Sequence, residues 1–100
     1  MTSDAGAALA PEQAKARLGQ LKGWEIADGK KLTKSYRFEN FVQAVDFVNK
    51  ITPIAEQQGH HPDLLVRWGE VRVELWTHTA NGVTPADFTL AQKIDGITKS

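Results

Sequence analysis

The stretch AEQQGHHPDLLVRW, residues 55–68, sets two histidines side by side, closes them with a proline and runs on into an apolar segment. Imidazole titrates near neutrality and can both donate and accept a proton, so paired histidines at an element boundary are candidates for proton transfer. Pro62 biases His61 toward extended backbone, which makes the His60 and His61 side chains diverge. A third histidine, His78, ends the segment VRVELWTH and falls on its polar face by the period-two count. Two carboxylates, Glu56 and Asp87, are suited to orient such imidazoles. Each also has a local reading: Glu56 as a solvated helix charge, Asp87 as the capping-box partner of Thr84. The two roles of Asp87 are compatible, since one carboxylate has two oxygens.

Other chemistries fit less well. Adjacent, diverging histidines chelate a metal poorly, and the chain has neither an HExxH segment nor a cysteine, so no metal site is expected. Nucleophilic catalysis lacks a thiol, and no serine stands in a GxSxG setting. Metal-free proton transfer by two or three converging imidazoles is what remains, against the plainer reading of each histidine as an unemployed surface residue. Trp68 and Trp76 are suited either to stack on a flat heterocycle or to pack. Trp24 reads as core.

The whole chain bounds these readings. One hundred residues make one domain. The composition is that of an ordinary globular protein, and 12 basic residues balance 12 acidic ones, so no global field draws the chain to nucleic acid or to an anionic membrane. Residues 1–10, MTSDAGAALA, lack the charged and apolar regions of a secretory signal and read as a disordered lead-in to a domain over 11–100. A cytoplasmic location is expected.

The elements that must position the histidines follow in order. A first helix opens at Pro11, with Ala14, Leu18 and Leu21 on one face and Gly23 as its stop. WEIADGKKLTKSYRF reads as a hairpin with a type I′ turn at Asp28-Gly29, and Leu32, Tyr36 and Phe38 share one face of its second strand, with Lys34 interrupting. A long helix is capped by Asn40 and Gln43 and buries Phe41, Ala44, Val45, Val48, Ile51 and Ala55. Pro53 is expected to kink or weaken it, and Gly59 to end it. PDLLVRWGEVRVELWTH is a second hairpin, with Gly69-Glu70 as a II′ turn and Val71, Val73, Leu75 and Thr77 on its apolar face. A last helix has Thr84 as cap, Pro85 at its first position, and Phe88, Ala91, Ile94 and Ile97 as its stripe. Helix, hairpin, helix, hairpin, helix is an α+β order, and it leaves the strand order open.

With LKGW, AEQQGHHPDLLVRW, VRVELWTH and GVTPADFTLAQKI in place, the chain resembles the pterin-4a-carbinolamine dehydratases from about Leu18 to Ile97. Glu56, His60, His61, Pro62, Trp68, His78 and Asp87 fill the places of that family's signature. The resemblance implies a four-stranded antiparallel sheet with helices packed on one face, in α-β-β-α-β-β-α order, and a homodimer by sheet extension or a homotetramer. It implies dehydration of a 4a-hydroxytetrahydropterin, such as 4a-hydroxytetrahydrobiopterin, to the quinonoid dihydropterin in tetrahydropterin recycling, with no cofactor beyond the pterin substrate. His60 and His78 would be the acid–base pair, supported by Glu56 and Asp87, with His61, Pro62, Trp68 and Thr77 at the substrate. The chain departs from familiar members in having Leu64 in place of an aromatic, Trp68 at a Tyr-like position, Ala86 in place of an arginine, and Pro53. On the same fold, a non-catalytic coactivator-like or enzyme-assembly module is the competing expectation.

Overall fold

The computed structural model describes residues 7–98. Its elements are α1 (Pro11–Leu18), β1 (Glu25–Ala27), β2 (Lys31–Arg37), α2 (Phe41–Gln58), β3 (Asp63–Arg67), β4 (Glu70–Leu75), a 3₁₀ turn (His78–Ala80) and α3 (Pro85–Thr98). The strands form one antiparallel sheet in the order β1-β2-β4-β3. Of the lead-in expected over 1–10, residues 1–6 lie outside the described residues. Leu9 already donates its N–H to the Val83 carbonyl at 2.8 Å and packs against the core, so packing begins before Pro11.

Alternation does most of the building. Leu32, Tyr36, Val71, Val73 and Leu75 point to one face and are buried beneath Ala44, Phe47 and Ile51 of α2 and Phe88, Leu90, Ala91 and Ile94 of α3. Ser35, Leu65 and Arg72 point the other way and are exposed, on the face without helices. The Asp28-Gly29 turn is as expected: both residues have positive φ, and Lys30 donates to the Ala27 carbonyl at 3.0 Å. Asn40 caps α2 by accepting from the Gln43 N–H at 2.9 Å, while Gln43 reaches back to the Glu39 N–H.

Several expectations are corrected. α1 ends at Leu18, with Gly19 as its cap, rather than at Gly23. The chain tightens into short turns there, while Leu18 and Leu21 still pack on the core. On α2, Phe41 is half exposed and the unexpected Phe47 is buried, against Tyr36 and Phe38 at ring separations of 4.6 and 5.1 Å. The expected stop at Gly59 holds, and the helix spans Phe41–Gln58 with Pro53 inside it, on its exposed side. The β3–β4 turn lies at Trp68-Gly69, one residue before Gly69-Glu70, because Glu70 is drawn into the ladder opposite both Arg37 and Arg67. Gly69 has φ +72, and a Cβ there would meet the Phe38 carbonyl at 3.0 Å, so the position admits little but glycine.

Candidate active site

α2 ends in a way that aims the histidines. Gly59 adopts the left-handed conformation, and the Gly59 and His60 N–H groups bond to the Glu56 and Ala55 carbonyls, a Schellman arrangement. The chain thus turns out of the helix at His60, and β3 begins immediately after Pro62. His60 is buried, His61 is exposed, and the two rings find different carboxylates.

His60 Nε2 lies 2.5 Å from Asp87 Oδ1. The other oxygen of Asp87 accepts from the Thr84 backbone N–H at 2.8 Å and from the Thr77 hydroxyl at 2.9 Å. The first of these is the expected cap of α3, and Asp87 is fully buried. With Thr77 donating to Asp87, the Thr84 hydroxyl is the donor across its 2.8 Å contact with Thr77 Oγ1. An ionised Asp87 accepts every one of these bonds, which places a proton on His60 Nε2. In the neutral ring Nδ1 is then the basic atom, and among the described residues it has no hydrogen-bond partner.

His61 Nε2 meets Glu56 Oε2 at 2.6 Å, outside the buried network. The third imidazole comes from beyond β4. Thr77 pairs with Gly82 across a short loop, and the 3₁₀ turn that starts at His78 holds that residue at the sheet's end. Gly59, the three histidines, Trp76 and Thr77 line one open cleft of about 220 Å³. The His78 ring lies against Trp76, with centroids 4.2 Å apart.

Of the site residues read from sequence, His60, His61 and His78 therefore share one cleft, with Asp87 behind His60 and Glu56 beside His61. Thr77 lines the cleft, but its hydroxyl donates inward to Asp87. Pro62 is half-buried next to His61 and serves to turn the chain into β3. Trp68 lies apart from the cleft of its own chain: it sits in the β3–β4 turn, 73% exposed, separated from the cleft by the length of β3, roughly 17 Å of strand. Thr84 went unnoticed as a member of the site, although its place as a helix cap three residues before Asp87 was the signal for it.

Among the described residues, no helix is long and apolar enough to cross a membrane. The family model for pterin 4 alpha carbinolamine dehydratase matches residues 7–97. A protein of Sulfolobus acidocaldarius bearing the pterin-4-alpha-carbinolamine dehydratase name is 47% identical over 89 residues, covering 89% of this chain and 97% of that relative. A crystal structure described as a transcriptional coactivator/pterin dehydratase from Brucella melitensis superposes with a TM-score of 0.85 at 34% identity, covering 90% of this chain and 97% of that one. A pterin dehydratase-like protein described as a RuBisCO assembly factor in the alpha-carboxysome superposes with a TM-score of 0.66 at 21% identity, covering 78% and 92% of the two chains, which shows a common fold. The α+β fold, the His-His-Pro step on its helix-to-strand junction and a match over nearly every described residue agree: this chain belongs to the pterin 4 alpha carbinolamine dehydratase family.

Proposed function

We propose that the protein is a hydro-lyase that dehydrates a 4a-hydroxytetrahydropterin to the quinonoid dihydropterin, supplying tetrahydropterin recycling. The observation that carries this reading is the meeting of His60, His61 and His78 at one cleft, with His60 held by the buried Asp87. The reaction needs two proton movements and nothing else. An imidazolium protonates the 4a-hydroxyl as the C4a–O bond breaks and water leaves. The N5 lone pair forms the N5=C4a bond, and a neutral imidazole takes the N5 proton. Protons balance over the cycle, so neither a cofactor nor a metal is required. His60 and His78 are the acid–base pair. His61, steadied by Glu56 at the mouth, holds the pterin. Such proton transfers contribute roughly 10²–10⁴-fold each. The protein works as a cytoplasmic homodimer on a small-molecule pterin.

A second reading has one observation in its favour. The sheet face without helices exposes Leu65, and the β3–β4 turn exposes Trp68. A non-catalytic assembly or coactivator-like module would use such a face and would have no need of three histidines at one cleft.

The deciding experiment mixes chelator-treated protein with freshly generated 4a-hydroxytetrahydropterin and follows quinonoid dihydropterin absorbance. Acceleration over the spontaneous rate, lost in His60→Ala and His78→Ala, supports the dehydratase. A folded protein with no acceleration, retaining a stoichiometric protein partner, reverses the order of the two readings.

A further inference from the structure

Two of the three imidazoles at the cleft are oriented by carboxylates, and the third is not. His78 is exposed, and among the described residues its side chain has no hydrogen-bond partner. An exposed imidazole with two free torsions spreads over several rotamers, and misplacement of about 1 Å in a reacting group can cost about 10²-fold in rate. What His78 does have is the indole of Trp76, with ring centroids 4.2 Å apart and planes tilted by 42°. The two residues are next-but-one neighbours on an extended segment, so their side chains rise from the same side of the backbone.

Trp76 is itself held. Lys31 on the neighbouring strand places its ammonium 5.5 Å from the centre of the indole, and that ammonium is steadied by Glu74 at 3.6 Å. The indole Nε1 is buried without a hydrogen-bond partner among the described residues. An unmet buried donor destabilises, and a phenyl ring would offer a similar flat wall without it. Packing against Lys31 and His78 holds the indole where its N–H finds nothing.

We propose that Trp76 is the positioning residue of His78, doing by ring packing what Asp87 does for His60 by hydrogen bonding. It confines the His78 imidazole to orientations facing the cleft, and its π face suits the positive charge that the ring carries for part of the cycle. The catalytic consequence rests on the dehydratase reading above. The structural part does not.

The test compares wild type, Trp76→Phe and Trp76→Ala by NMR of the His78 ring protons, assigned with His78→Gln, and by steady-state dehydration. In wild type and Trp76→Phe the His78 ring protons should carry an upfield ring-current shift that Trp76→Ala loses. Trp76→Ala should lower kcat at least ~10-fold with KM within ~3-fold, whereas Trp76→Phe should keep kcat within ~3-fold and melt no lower than wild type. A His78 shift that Trp76→Ala leaves unchanged overturns the proposal, and so does a lost shift with undiminished kcat. If wild type itself shows no turnover, the dehydratase reading falls, and the ring shift alone decides whether Trp76 holds His78.

Discussion

Asp87 holds His60 through one carboxylate oxygen, 2.5 Å from Nε2, and starts α3 with the other, 2.8 Å from the Thr84 N–H. A helix cap and an imidazole anchor are thus one side chain. The last helix cannot begin where it does without presenting an oxygen to the end of α2, and the two helices that cover the sheet are locked at the point where the cleft opens.

Asp87→Asn separates the two duties. The amide oxygen keeps the Thr84 N–H and Thr77 hydroxyl, while the amide NH₂ faces His60 Nε2 and forces that nitrogen to accept. The proton moves to Nδ1, and the ring presents the wrong tautomer to the cleft. We expect kcat to fall by roughly 10²–10⁴, the range for losing a general acid or base. The loss of stability should stay near 1–3 kcal/mol, because the site keeps most of its hydrogen bonds. Asp87→Ala should lose about 1 kcal/mol more through the helix cap. Urea melts beside steady-state rates check both, and unchanged turnover in Asp87→Asn would remove His60 from the acid–base pair.

The pair of Glu56 and His61 should behave differently. Their side chains are 70% and 60% exposed, so solvent screens the contact and its share of stability is small. Glu56→Gln should change the unfolding free energy by less than ~0.5 kcal/mol. If His61 binds the pterin and does not move protons, the variant should raise KM several-fold with kcat nearly constant. A fall in kcat with KM unchanged would assign His61 to the chemistry instead.

These contrasts show which parts of the site were legible in the sequence. Thr84, Pro85 and Asp87 state a helix start in four consecutive positions, and Val71, Val73, Leu75 and Thr77 state an inward strand face by alternation. Both are local signals, and both hold. The link from Asp87 to His60 spans 27 residues and no local rule contains it; family resemblance suggested a partnership, and the Schellman turn at Gly59 supplies the aim. The place of Trp68 in a motif says nothing of direction, and β3 carries it away from the cleft of its own chain. The β3–β4 turn lies one residue earlier than glycine patterning puts it, because that patterning does not register that Glu70 pairs with Arg37 of the neighbouring hairpin. Lys34, an apparent flaw in the apolar face of β2, reaches Asp95 on α3 at 2.8 Å, a partnership visible only when the helices are docked.

Asp95 also leads to a prediction about alkaline stability. It accepts from Trp24 Nε1 at 3.0 Å and from the Tyr36 hydroxyl at 2.5 Å, besides Lys34. Burial first, and then the bond to Asp95 and its negative charge, push the Tyr36 phenol well above its ordinary value. Below pH ~10 the phenol is neutral in both the folded and the unfolded chain, and the stabilisation is fully present. Above that the unfolded chain ionises and the folded one does not, so stability falls by about 1.4 kcal/mol per pH unit for this one proton. Tyr36→Phe should be less stable at neutral pH through the lost hydrogen bond, yet show a shallower decline above pH ~10. Denaturant melts from pH 8 to 11.5 give the two slopes, and equal slopes would mean that Tyr36 ionises with the folded state intact.

The free edge of the sheet bears on the proposed homodimer. β3 is an outer strand, and an unpaired edge of five residues is a template for another strand. Its sequence, Asp63-Leu64-Leu65-Val66-Arg67, is complementary to itself when two copies run antiparallel about Leu65. Asp63 of each copy then faces Arg67 of the other, and the two Leu65 side chains, each 48% exposed in the single chain, meet on the two-fold axis. Each cross-strand pair is worth roughly 0.2–1 kcal/mol, and the backbone ladder adds to them. Leu65→Lys sets two ammonium groups opposite each other at the axis and should give a monomer in sedimentation, with the fold intact because the residue lies on the face without helices. Asp63→Lys should weaken the dimer by placing like charges together, and adding Arg67→Glu should restore it. A dimer that survives Leu65→Lys, or ignores the charge exchange, would place the contact on another surface.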